Sequence, residues 1–193
     1  MTITKPQPAL PTTAAEHWTY TRYLRETVES EYFSVIGGER LMSPSPNRRH
    51  QTALINLATQ LKEFAKRNQL GTVLVAPFDV YFSEDEFVQP DLLFVAKEHV
   101  ERLTDNGVKG APDLVVEIVS PGSARTDRLT KRNLYAKHGV SEHWIISPNE
   151  RTIEVLSLKE GNYESVGLYE GDEAIKSPLL PGLLIVSNPL FDE

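Results

Sequence analysis

The stretch APDLVVEIVSPGSARTDRLTKRNLYAKHGVSEHWIISP, residues 111–148, decides the fold. Asp113 to Ser120 is rich in Val and Ile, too short for a helix and bounded by Pro112 and Pro121, so it reads as a buried strand. Pro121-Gly122 then turns the chain. A helix follows, capped by Ser123 or Thr126 and reaching His138, with Gly139 at its C-terminal end. EHWIISP is a second strand. A strand, a helix and a strand in this order predict a parallel pair joined by a crossover. Within the first strand sits Glu117, on the same face as Val115 and Val119, because side chains alternate along a strand. A carboxylate among such neighbours must be paired, protonated or bound to a cation, or else reach water at a strand end, since leaving it charged and alone costs several kcal/mol.

Working outward, the chain of 193 residues is long enough for one domain with a substantial core. Residues 1–15, rich in Pro, Thr and Ala, read as a flexible leader, and residues 16–193 as a single domain. Residues 16–30 predict a short helix with Trp18, Tyr23 and Leu24 as packing residues. Tyr32 to Ile36 and Glu39 to Met42 flank Gly37-Gly38 as a hairpin. From Asn47 to Asn68 apolar residues recur at spacings of three and four, which predicts an amphipathic helix with one core face. TVLVAPFDVYF predicts one apolar strand with Pro77 as a bulge or edge feature, and PDLLFVA another that starts at Pro90. Lys97 to Gly110 reads as a polar link. Thr152 to Leu158 and Asn162 to Leu168 predict a second hairpin, and the proline-broken tail a short edge strand and an extended end.

Composition excludes several chemistries. With no cysteine there is no disulfide, zinc-thiolate site or cysteine nucleophile, and neither a signal peptide nor a membrane span is indicated, so a cytoplasmic protein is expected. The net charge of -7 argues against non-specific coating of nucleic acid but leaves room for a local basic cleft. Arg125, Arg128, Lys131, Arg132 and Lys137 face a single acid, Asp127, between residues 123 and 138. That excess is either a solvated helix face or a surface for phosphate.

Hydrolysis of phosphodiesters needs carboxylates from neighbouring elements converging on a hard cation that prefers oxygen, with a positive group nearby. Two Pro-Asp pairs are available. Asp113 lies four residues before Glu117, roughly 13 Å along a strand rising about 3.3 Å per residue, too far to share an ion. Asp113 therefore reads as a turn residue that opens its strand. Asp91, on the preceding strand, lies beside Glu117 if the two strands pair. Lys131 is either aimed at these carboxylates or engaged in a surface pair with Asp127. Glu39, near the end of the first hairpin, and His50, at the start of the long helix, are each a ligand or proton-transfer candidate, or an ordinary surface residue.

The segments ERLMSPSPNRRHQTALINLATQL, APFDVYF with QPDLLFV, and PDLVVEIVSPGSARTDRLTKRNLYAKHGVSEHWIISP resemble, in this order over about residues 20–190, the Uma-type restriction-endonuclease family of the PD-(D/E)XK nuclease superfamily. The resemblance implies an α/β fold with a restriction endonuclease-like core: a central mixed sheet flanked by helices (αβββαβ), with an N-terminal hairpin and extra C-terminal strands. It implies a Mg²⁺-dependent DNA endonuclease, with Mn²⁺ as a substitute ion, in which Asp91 and Glu117 bind the metal. The Lys expected two residues beyond the second acid falls on Val119, and Lys131 resembles a relocated version. Glu39 resembles the acid that members bring from an N-terminal element. Arg48 and Arg49 then contact DNA phosphates, and a homodimer suits cutting of both strands. The other reading is a nuclease-fold module without catalysis that serves as a nucleic-acid-binding or assembly subunit.

Overall fold

The computed structural model describes residues 16–27, 33–42, 45–119 and 126–192. The expected leader, the Pro121-Gly122 turn and the Ser123 cap lie outside them. In chain order the elements are α1 (Tyr20–Glu26), β1 (Ser34–Ile36), β2 (Glu39–Leu41), α2 (Arg48–Arg67), β3 (Gly71–Val75), β4 (Asp79–Ser83), β5 (Glu86–Val88), β6 (Leu92–Ala96), a 3₁₀ segment (Lys97–Arg102) and β7 (Gly107–Lys109). Then come β8 (Leu114–Ile118), a π-type turn (Thr126–Lys131), α3 (Arg132–His138), β9 (Glu142–Ser147), β10 (Thr152–Lys159), β11 (Asn162–Glu170) and a 3₁₀ turn (Asn188–Phe191).

The strands form two sheets. One runs β11-β10-β9-β8-β6-β3 and the other β2-β1-β5-β4-β7. Both are mixed: β8 and β9 are parallel, as the strand, helix, strand order requires, and so are β4 and β7. Read along the chain, α2, β3, β6, β8, α3 and β9 reproduce the expected αβββαβ order, with β10 and β11 as the extra strands.

Local sequence explains most boundaries. Asn47 caps α2, its side chain accepting from His50 N at 3.0 Å. Ala53, Leu57, Leu61 and Ala65 fall on one face of α2 and are buried against Leu92, Phe94, Leu114 and Val116 of the six-stranded sheet. Complete burial of Leu57 or Leu61 contributes about 1.5–3 kcal/mol each. Gly37 and Gly38 adopt φ of +61° and +78°, the left-handed pair that a two-residue hairpin turn needs. Gly139, at φ +80°, ends α3 in the same region.

The opposite face of the six-stranded sheet packs Val115, Val119 and Ile145 against Leu134 and Tyr135 of α3 and against Val80, Val88 and Val108 of the second sheet. A third cluster joins Trp18, Tyr23, Phe33, Val35 and Phe87. The C-terminal tail is held down at Glu142, which accepts from Ser177 Oγ (2.8 Å), Leu179 N (2.7 Å) and Trp144 Nε1 (2.9 Å).

The structure corrects four expectations. TVLVAPFDVYF is not one strand: Pro77 separates β3, which pairs with β6, from β4, which pairs with β5 and β7 in the other sheet. The polar link 97–110 contains a 3₁₀ segment and β7. Helix α1 begins only at Tyr20, capped by Thr19, and Leu24 points to solvent at 63% exposure instead of packing. In the tail, the expected edge strand is reduced to one bridge between Ala174 and Val186, and the chain finishes in a 3₁₀ turn.

Candidate active site around Glu117

Glu117 lies inside β8, flanked on one side by β6 and on the other by β9, where Ile145 is its register partner. Its side chain is 3% exposed. Two groups from the α3 region compensate for this burial. Lys131 Nζ, at the end of the π-type turn, donates to Oε2 at 2.7 Å, and the Tyr135 hydroxyl donates to Oε1 at 2.5 Å. Lys131 is itself 5% exposed and Tyr135 fully buried. Lys131 and Tyr135 are four residues apart in a helical segment, so they present to one side and grip both oxygens of one carboxylate. Lys131 is therefore aimed at Glu117.

The strand pairing brings Asp91 to this carboxylate's strand. Leu92 of β6 is opposite Val116 of β8 in antiparallel register, so Asp91, one step before Leu92, falls opposite Glu117, one step after Val116. Asp91 Oδ2 accepts from Ile118 N at 2.7 Å. Oδ1 lies 3.1 Å from Nε2 of His50, which is buried in the first turn of α2. Nδ1 of the same ring is a buried atom without a hydrogen-bond partner among the described residues.

Glu39 is not brought to this cluster in the same way. It is exposed on β2, opposite Ile36, in the other sheet. Among the described residues no group of three or more His, Asp and Glu side chains that could hold a metal forms, so Glu39 completes no such set. Val119, at the position of the superfamily Lys, is buried beside Val115 and donates its N–H to Ile146 O at 2.8 Å. It is a core residue here. Asp113 is buried as well, accepting from Ala96 N at 2.7 Å and lying 2.8 Å from His99 Nδ1, which fastens the end of β6 to the start of β8.

Three cations of the basic segment make contacts within the fold. Lys131 is spent on Glu117, Arg132 donates to Tyr163 O at 2.8 Å, and Lys137 donates to both oxygens of Glu86. Arg48 and Arg49 are exposed at the start of α2, with Arg49 donating to Asn149 Oδ1 at 3.2 Å.

Sequence reasoning missed Tyr135 as a site residue, although its position one turn after Lys131 was the available signal. It also missed His143. This residue pairs with Val115 across β8 and β9, is fully buried, and sets its ring edge-on to Tyr135 with centroids 5.0 Å apart. Neither ring nitrogen has a hydrogen-bond partner among the described residues. Burial, with the charges of Lys131 and Arg132, pushes its pKa down to about 3, so it stands neutral beside the cluster.

Asp91 and Glu117 form an all-oxygen donor pair on adjacent strands. Carboxylate oxygen is the donor type that Mg²⁺ prefers, with water and substrate phosphate commonly completing its shell.

The Uma2 family, whose description is "Putative restriction endonuclease", matches residues 18–187. The crystal structure of a putative nuclease belonging to DUF820 from Anabaena variabilis superposes with a TM-score of 0.75 at 20% sequence identity, covering 90% of this chain and 97% of that one. At that identity the likeness shows the fold, a restriction endonuclease-like one with mixed sheets flanked by helices. No curated protein matches the chain significantly. The family pattern spans both sheets, α2 and the whole cluster around Glu117, and the chain belongs to the Uma2 family of putative restriction endonucleases.

Proposed function

We propose that the chain is a Mg²⁺-dependent endonuclease that hydrolyses DNA phosphodiesters, with Asp91 and Glu117 as the metal-holding acids and Mn²⁺ as a substitute ion. Family membership and the nuclease fold support a nuclease at the coarse level. The observation that carries the finer reading is the buried Lys131 ammonium 2.7 Å from the Glu117 carboxylate, opposite Asp91 in the register. A pure scaffold gains from replacing a buried ion pair with apolar groups, so keeping this one at the meeting point of three elements is better explained by use.

The residues divide the work. Asp91 is oriented by Ile118 N and His50, and Glu117 by Tyr135 and Lys131. Lys131 would offset negative charge that builds on the phosphate or orient the attacking water. A bound Mg²⁺ supplies Lewis-acid polarisation of the phosphate and lowers the pKa of its water. Arg48 and Arg49 would hold the backbone of the nucleic acid, contacts that position without specifying sequence. A two-fold dimer would present two such sites to the two strands of a duplex.

Val119 at the superfamily Lys position favours the second reading, a non-catalytic nucleic-acid-binding or assembly module. Plasmid and single-stranded DNA cleavage in Mg²⁺ or Mn²⁺ separates the two. The endonuclease reading expects cleavage by the wild type that disappears in Asp91→Asn and Glu117→Gln and falls steeply in Lys131→Met. It also expects a metal-dependent rise in Tm that Glu117→Gln removes, worth about 2.7 kcal/mol at a hundred times Kd. Cleavage equal in all variants, or no metal response in the wild type with or without DNA, refutes it.

A further inference from the structure

Helix α3 is gripped by a carboxylate at each end, and the two carboxylates belong to different sheets. At its start Lys131 and Tyr135 hold Glu117 of the six-stranded sheet. At its end Lys137 Nζ donates to Glu86 Oε1 and Oε2 at 2.7 and 2.8 Å, and His138 Nε2 lies 2.6 Å from Oε2. Glu86 is on β5 of the other sheet, with Ile36 as its partner on β1. The His138 ring also stacks on Phe82 of β4 at 4.3 Å and 8°. Burial alone would raise the Glu86 carboxyl, yet Lys137 and His138 hold it below the ordinary range, which marks an engaged, charged group.

A helix of seven residues spans only about 10 Å, so the two grips cannot move independently. Leu129 and Thr130, immediately before Lys131, are exposed. We infer that Glu86 is a positioning residue for Lys131: it fixes the far end of α3 on the second sheet, and thereby sets where the Lys131 ammonium and the Tyr135 hydroxyl meet Glu117. The inference rests on the proposed role of Lys131 for its catalytic meaning, while its geometry stands apart from that role.

The test reads Lys131 directly, without activity. The full chain is acetylated under native conditions and labelling of each lysine is followed by mass spectrometry, with exposed Lys62 as internal reference. Glu86→Gln approaches the grip from the sheet and the double variant Lys137→Met with His138→Gln from the helix. The control is Lys159→Met, which removes the surface pair with Glu164. Lys131 is expected to label about tenfold faster in both grip variants, through freer local opening of α3, with Lys62 and the control at wild-type rates. Lys131 labelling within roughly twofold of wild type in whichever grip variant folds, or an equal acceleration in the control, overturns the positioning role. A wild type that never cleaves DNA sinks the endonuclease reading instead and leaves this measurement intact.

Discussion

Replacing Lys131 with methionine keeps an unbranched side chain of similar length and deletes the ammonium. The Glu117 carboxylate, 3% exposed, then keeps the Tyr135 hydroxyl but loses the cation 2.7 Å away. Breaking a buried pair from one side costs about 3–5 kcal/mol, because the charge left behind is desolvated without its counterpart. For a chain of this size roughly 2–4 °C of Tm accompanies each kcal/mol, so Lys131→Met is expected to melt roughly 6–20 °C below wild type. Adding Glu117→Gln should recover much of the loss. With both charges gone and the amide oxygen still accepting from the buried Tyr135 hydroxyl, the double variant is expected to be more stable than Lys131→Met alone by about 1–4 kcal/mol. Urea unfolding followed by circular dichroism at neutral pH, on the wild type, both single variants and the double, gives the coupling energy directly. A Lys131→Met cost under about 1 kcal/mol, or single-variant costs that simply add, would refute the reasoning, since either outcome means the pair is not desolvated in solution.

Two other outcomes are expected. His143 has a folded pKa of about 3, below its unfolded value, so the unfolded chain takes up a proton that the folded chain refuses as pH falls below about 6.5. The stability of the neutral ring is present above that pH and is lost toward pH 3, and His143→Phe should flatten the slope of unfolding free energy against pH by up to one proton in this window. Asn47→Ala removes the side chain that caps α2 and should cost about 0.5–2 kcal/mol in urea unfolding, whereas Asn47→Ser or Asn47→Asp should retain most of it.

The legible parts of the fold were those with a long or sharply bounded pattern. Twenty residues of period near 3.6 made α2 unmistakable, and a Val-rich run between two prolines marked β8. Glu117 stood out as the charge in the middle of that run, Asp113 only opening it, and Asp91 followed once β6 and β8 were expected to pair. Strands β5 and β7, three residues each, are too short to show any period. The division of TVLVAPFDVYF at Pro77 was invisible because both halves are equally apolar, and only their partners differ. Leu24 misled because an apolar residue on a short surface helix need not be buried. The grip on Glu86 and the burial of His143 depend on which sheet α3 lies across, and no local pattern carries that information. Tyr135 was within reach: a side chain four residues past Lys131 shares its face, so aiming one at Glu117 aims the other.

The hydrogen bond from Ile118 N to Asp91 Oδ2 complicates mutagenesis of the site. Alanine at position 91 would strip an acceptor from the backbone of β8, beside Glu117, leaving a largely enclosed amide without its partner at a cost of about 1–3 kcal/mol. A dead Asp91→Ala protein would then report two injuries at once, a missing metal-holding acid and a disturbed strand end. Asparagine retains a carbonyl oxygen for the Ile118 amide while removing the negative charge, so only that substitution can assign lost cleavage to electrostatics instead of to a strand that has shifted underneath the chemistry.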